Sequence, residues 1–164
     1  KPLVVMSPKS LLRHPLSNSS LADLSNGAFL PVIDDPRAPR QAKRVVACSG
    51  RVWFDLEAAR AARGLDDVAL VRIEQLYPFP EAAFRGVLNA YPQAASFVWS
   101  QEEPMNQGAW FQTLHHLNHC APAGQRFHYA GRPAAAAPAS GYASRHRAEL
   151  EALLADALET PYEA

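Results

Sequence analysis

The 164-residue chain has few cysteines, no excess of either charge and no long apolar run, and each feature excludes a class of protein. Its two cysteines, Cys48 and Cys120, stand far apart, without the close spacing of a zinc knuckle or a redox dithiol. The spacing therefore argues against a zinc knuckle and a redox dithiol, and we expect a reducing compartment. Cys48 lies in an apolar stretch, where a thiol usually serves as a small buried side chain, so no catalytic role is assigned to it.

Sixteen basic residues balance sixteen acidic ones, and neither sign is gathered into a block. A nucleic-acid partner is therefore not expected. The apolar runs are too short to cross a membrane, so no membrane partner is expected either. The length suits one domain over residues 1–164. The chain enters an apolar run at once, without an initiator methionine, which indicates a piece of a longer protein.

Short apolar runs without strict alternation predict strands that are covered on both faces. Five such runs are present, at Leu3–Met6, Arg44–Cys48, Val68–Ile73, Phe97–Trp99 and Phe127–Tyr129.

Apolar residues at helical spacing separate and follow these runs, and they predict helices at residues 52–63, 80–91, 107–119 and 144–159. The repeated strand-helix order favours an α/β fold, a three-layer α/β/α sandwich with a mainly parallel five-stranded sheet. Residues 7–40 are predicted to be irregular, with one helical turn at most, and residues 131–143 form an Ala/Pro-rich loop.

A dense set of polar residues follows the fourth predicted strand directly. In an open sheet, loops at the carboxyl ends of strands meet ligands and neighbouring subunits. Adjacent carboxylates on a loop seldom share one proton, so an acid-base pair is disfavoured and no catalytic residue is assigned. An aromatic side chain among polar ones is typical of an interface. We therefore predict interface residues here: Glu102, Glu103, Asn106, Gln107 and Trp110.

Cations form a second candidate site. Lys9 and Arg13 lie in one short segment, and Arg51 follows a glycine turn at the start of a predicted helix. These three groups could hold the phosphates of an effector, although the dinucleotide fingerprint and the Walker loop are both missing. For Lys9, Arg13 and the adjacent His14, the alternative that we favour slightly is pairing with acidic residues across an interface, and a glycine turn such as that before Arg51 is expected on structural grounds alone.

Histidines form a third cluster. His115 and His119 have the spacing used by zinc-binding helices, with His116 and Cys120 beside them, but the glutamate of that motif is missing. We therefore predict an exposed or interface-facing histidine patch and assign no metal site.

Four segments in this order and spacing closely resemble one family, the C-terminal domain of the thiamine-diphosphate-dependent decarboxylase component of 2-oxoglutarate dehydrogenase. They are residues 5–15 (VMSPKSLLRHP), 72–80 (RIEQLYPFP), 99–110 (WSQEEPMNQGAW) and 129–133 (YAGRP). The resemblance covers nearly the whole chain.

The resemblance implies a transketolase C-terminal-like fold. It implies a parent enzyme that decarboxylates 2-oxoglutarate on thiamine diphosphate and passes the succinyl group to the lipoyl arm of a succinyltransferase component. The thiamine diphosphate and magnesium would be held by upstream domains, since their binding segments are not found in this chain. The implied role is support of a cytoplasmic homodimer, or one in the mitochondrial matrix of a eukaryote, and the fragment alone would be inactive.

Some members of the family use this domain to bind a nucleotide or coenzyme A effector, and Arg13 matches an arginine that such members use. Residues 81–83, Glu-Ala-Ala, stand where effector-responsive actinobacterial members carry an arginine cluster, so the resemblance does not extend to acetyl-coenzyme A control. Two alternatives stay open: an effector-binding module for a nucleotide or an acyl-coenzyme A, and the same domain of a 2-oxoadipate dehydrogenase.

Overall fold

The computed structural model describes residues 2, 4 and 8–162. The chain divides into two compact units, residues 1–30 and 31–164, which are described separately below. The assignment of residues 1–164 to one domain stays a prediction.

The first unit contains a short helix, α1 (Leu21–Asn26), inside the segment predicted to be irregular. Ser20 and Asp23 cap its start reciprocally: each side chain accepts a hydrogen bond from the other residue's backbone N–H, both at 3.1 Å. Two single 3₁₀ turns precede it, at Lys9–Leu11 and Pro15–Ser17. Three of the four residues of the predicted strand Leu3–Met6 lie outside the described residues.

The second unit contains a five-stranded sheet in the order β1-β3-β2-β4-β5. The pairs among β2, β3, β4 and β5 are parallel, and only β1 pairs antiparallel, with β3. The mainly parallel α/β prediction is therefore confirmed. The strands are β1 (Val32–Ile33), β2 (Arg44–Cys48), β3 (Val68–Ile73), β4 (Ser96–Pro104) and β5 (Phe127–Arg132).

Helices cover the sheet on both faces, which is why the strands read as unbroken apolar runs. One face buries a core against α3 and α4, and the other buries a core against α2 and α5. Gly64 ends α2 in the left-handed conformation at φ 64°, as the sequence predicts. The helix bounds are α2 (Val52–Arg63), α3 (Glu81–Asn89), α4 (Trp110–Cys120) and α5 (Ala143–Leu158).

Several bounds differ from the prediction. β5 continues three residues beyond Tyr129, into residues predicted to form the Ala/Pro-rich loop, and the ends of α3 and α5 differ by one or two residues. The edge strand β1 lies inside residues 7–40, so that segment is not irregular throughout. β4 continues five residues beyond Trp99, because Ser100 and Gln101 are buried polar residues that the apolar pattern could not place in a strand. Helix α4 begins at Trp110 rather than at residue 107.

The Ala/Pro-rich loop before α5 is fastened by polar side chains. Arg132 donates from Nε to Glu149 at 2.8 Å and from Nη1 to the carbonyl of Pro138 at 2.8 Å. Glu149 also accepts a 2.7 Å hydrogen bond from Arg145. The loop is thus ordered by contacts that no local sequence pattern specifies.

Glu149 makes the stability of the fold depend on pH. The hydrogen bond from Arg145, followed by that from Arg132, holds the pKa of Glu149 below its ordinary value of 4.5. Because the native pKa is lowered, the stabilisation is complete above about pH 4.5 and is lost as the pH falls through the native pKa. The unfolding free energy of the chain should therefore fall between neutral pH and a pH below 4.5. We expect this fall to be smaller in Glu149→Gln, and urea denaturation at the two pH values measures it. Glu151→Gln, on an exposed side chain of the same helix, should leave the fall unchanged.

Candidate functional site

The carboxyl ends of β2, β3 and β4 open into a cavity of about 320 Å³. Its walls come from the turn after β2, the loop after β3, the end of β4 and the first turns of α4. In open α/β sheets, this edge is where ligands and partners are met, and the volume lies in the range of ligand pockets. The cavity is therefore the candidate site of the second unit.

Gln101 organises the floor of the cavity. Its side-chain oxygen accepts hydrogen bonds from the indole N–H of Trp99 at 2.9 Å and the backbone N–H of Trp110 at 3.0 Å. Its amide nitrogen donates to the carbonyls of Gln107 at 2.7 Å and Pro104 at 3.2 Å. One buried amide thus holds the strand end, the following turn and the start of α4 together.

Gly108 completes this arrangement because the turn requires two properties that only glycine combines. Its φ is +66°, a conformation that residues with a Cβ rarely adopt. A Cβ at this position would lie 2.9 Å from the side-chain nitrogen of Gln101. Because Gly108 has no Cβ, the side-chain amide of Gln101 can pass close to it and donate to the carbonyl of Gln107.

Replacing Gln101 with leucine should destabilise the chain by about 1–3 kcal/mol, because the N–H groups of Trp99 and Trp110 would stay buried without an acceptor. Urea denaturation followed by tryptophan fluorescence measures this change. The matched control is Gln112→Leu on the exposed face of the same cavity, which should change the stability little. Equal effects of the two substitutions would contradict the role given to Gln101.

The predicted histidine patch divides in the structure. His115 and His119 are exposed, whereas His116 lines the cavity and stacks on Phe79 with ring centroids 4.8 Å apart. Glu81 contacts two of them: its carboxylate lies 2.6 Å from Nδ1 of His116 and 3.6 Å from Nε2 of His119. The hydrogen bond with His116 lowers the pKa of Glu81. This contact joins the start of α3 to α4.

Arg51 lies at the start of α2 and makes ion pairs within the second unit. Its guanidinium is 2.8 Å from Asp55 and 3.2 Å from Glu102. An anion at this point would compete with two carboxylates of the same chain. Lys9 lies in a 3₁₀ turn of the first unit and Arg13 lies just after that turn, both exposed, and effector binding by the three cations stays a prediction.

The predicted interface residues occupy different environments. Asn106 and Gln107 donate to the carbonyl of Ala135 at 3.1 and 3.0 Å, so they fasten the Ala/Pro-rich loop of the same chain. Trp110 is 7% exposed and packs in the core. Glu102 and Glu103 are exposed. Their role at an interface stays a prediction.

Sequence reasoning missed Gln101 as a structural centre of the site. The available signal was its position two residues after Trp99, which places both side chains on the same face if the strand continues. Cys48 is fully buried, as the apolar run around it predicts, and burial raises the pKa of its thiol to about 12.

Comparison with known families shows which family the chain belongs to. The family model described as 2-oxoglutarate dehydrogenase C-terminal matches residues 18–158, which is most of the chain. The chain belongs to this family. The family prediction made from the four segments is therefore confirmed.

Individual relatives support the same family assignment. The chain is 49% identical over 160 residues to the 2-oxoglutarate dehydrogenase E1 component of Haemophilus influenzae. It is 51% identical over 162 residues to the E1 component of Azotobacter vinelandii. Each match covers 96% of the chain and 17% of the relative. The E1 component of Brucella abortus is 47% identical over 174 residues, with the same coverage. The chain thus spans 17% of the length of these relatives.

Proposed function

We propose that this chain is the C-terminal part of an enzyme that oxidatively decarboxylates 2-oxoglutarate, and that it acts there as an assembly domain. The observation that carries the proposal is about 50% identity to E1 components over 96% of the chain. In the full-length protein, thiamine diphosphate would supply the ylid and the electron sink for decarboxylation.

We propose that thiamine diphosphate and magnesium are held by other domains of the full-length protein and that this chain supplies structural support. Within residues 2, 4 and 8–162, no group of three or more His, Cys, Asp or Glu side chains is placed to hold a metal ion. Magnesium beside a diphosphate needs only one or two protein carboxylates, so the proposal rests on the family relationship.

The partners of the proposed assembly domain follow from the same relationship. We infer a homodimer of the full-length protein and transfer of the succinyl group to a lipoyl succinyltransferase component. Among the predicted interface residues, Glu102, Glu103 and Asn106 are exposed, and Glu102 and Glu103 are the charged ones that we propose for an intermolecular or interdomain contact. None of the helices in the described part of the chain is long and apolar enough to cross a membrane.

An activity assay tests the proposal. Full-length protein with 2-oxoglutarate, thiamine diphosphate, magnesium and an artificial electron acceptor should give turnover, while the 164-residue chain alone should give none. Turnover by the 164-residue chain would overturn the assembly role. A parallel assay with 2-oxoadipate checks the substrate: a larger kcat/KM for 2-oxoadipate than for 2-oxoglutarate would assign the chain to a 2-oxoadipate dehydrogenase instead.

A further inference from the structure

The loop between β3 and α3 is held on both sides of Tyr77. Before it, the backbone N–H groups of Glu74 and Gln75 donate to the carbonyl of Pro31 at 2.9 and 3.1 Å. The side chain of Gln75 donates to the carbonyl of Pro78 at 2.6 Å. After it, the ring of Phe79 is stacked against α4. The backbone around Tyr77 is therefore fixed by its own contacts.

The two apolar side chains on this fixed loop are nevertheless exposed. Tyr77 is 91% exposed and Leu76 is 39% exposed, and both line the cavity at the carboxyl edge of the sheet. A tyrosine presented to solvent from an ordered loop loses little conformational entropy when a partner covers it. Tyrosine is also among the residues that most often dominate binding energy at interfaces.

The residues that line the cavity also include a glutamate. This residue is Glu103, and within the described residues its carboxylate makes no ion pair. Two nearby glutamates differ in this respect, since Glu102 pairs with Arg51 and Glu81 contacts His116. The cavity therefore combines an apolar wall with one acceptor that a basic side chain would satisfy.

We propose that this cavity is the docking site for a segment of the full-length polypeptide that lies outside these 164 residues. That segment would set an apolar side chain against Tyr77 and Leu76 and a lysine or arginine beside Glu103. The inference rests on the proposed function, because it takes the chain to be one part of a longer E1 component.

One observation favours a segment of the same polypeptide over a second copy of this chain. The chain spans only 17% of its relatives, so most of such a protein lies outside it. A covalently tethered segment also has a high effective concentration at the site, which a separate second copy lacks.

Oxidative footprinting of the Tyr77 ring tests the proposal without using catalytic activity. In the 164-residue chain, the ring should be labelled at the rate of an exposed tyrosine. In the full-length protein, labelling should be slower by about tenfold or more, since a covered ring reacts only through local opening. Equal labelling of Tyr77 in the two proteins would overturn the proposal, even where the full-length enzyme turns over 2-oxoglutarate.

Charge reversal identifies the chemistry of the segment. Glu103→Lys in the full-length protein should restore most of the labelling of Tyr77, and it should leave the unfolding midpoint of the 164-residue chain unchanged. Glu151→Lys, a reversal at an exposed site on α5, is the matched control and should leave Tyr77 protected. Protection that survives Glu103→Lys would contradict a basic side chain at the site. Protection that rises with the concentration of the 164-residue chain would show a second copy instead and overturn the proposal.

Discussion

Replacing Arg60 with methionine is expected to lower the free energy of unfolding by about 3–5 kcal/mol, because it removes a buried cation that pairs with two buried carboxylates and leaves Glu57 with Arg37 alone. Arg60 is 7% exposed and lies between Asp35 and Glu57, which are 3% and 2% exposed. Its guanidinium forms ion pairs with both carboxylates and donates to the carbonyl of Val68 at 2.8 Å. The loss should exceed that at any surface ion pair of this chain.

Arg63 on the same helix provides the matched control. It pairs with Glu151 and Glu159, whose side chains are 73% and 49% exposed, so Arg63→Met should cost about 0–1 kcal/mol. Urea denaturation at neutral pH measures both variants. A loss at Arg60 no greater than the loss at Arg63 would show that the buried cluster is not a centre of stability.

Replacing Phe84 with alanine is expected to cost about 3–5 kcal/mol, since it removes a large side chain from the core between α3 and the sheet. Phe84 is fully buried, with ring centroids 5.9 Å from Phe79 and 5.8 Å from Phe127. Phe79 stacks in turn on His116, so the resulting cavity would loosen the wall of the candidate site.

The matched substitution is Phe111→Ala on α4, where the ring is 62% exposed. Both changes replace phenylalanine with alanine inside a helix, so the gain in helix propensity is the same. Thermal and urea unfolding should show a large loss for Phe84→Ala and a change of about 0.5 kcal/mol or less for Phe111→Ala. Similar losses would contradict the placement of Phe84 in the core.

The parts of the fold that the sequence predicts are those with a strong local pattern. β2 and β3 were placed at their observed bounds, because apolar runs buried on both faces need no information from elsewhere in the chain. α2 was placed equally well, since Gly64 marks its end. β1 has only two residues and a partner in β3, so no local pattern distinguishes it from the loop around it.

The candidate site was predictable only in outline. The polar segment after Trp99 indicated the correct edge of the sheet, and the four family segments indicated the correct family. The individual contacts were not predictable, because Gln101 bonds to groups up to nine residues away and Tyr77 approaches the cavity from another loop. The exposure of Tyr77 depends on how that loop is held, and its apolar character alone would suggest burial.

The sequence by itself determined the fold class, the family and the burial of Cys48, since these follow from the periodicity of apolar residues and from four characteristic segments. The tertiary structure alone decided which polar groups are satisfied inside the chain and which face outward. Asn106 and Gln107 bond to Ala135, whereas Glu103 has no ion pair among the described residues. The physical reason is that a hydrogen bond or an ion pair requires two groups in contact, and only the folded backbone brings residues distant in sequence within that range.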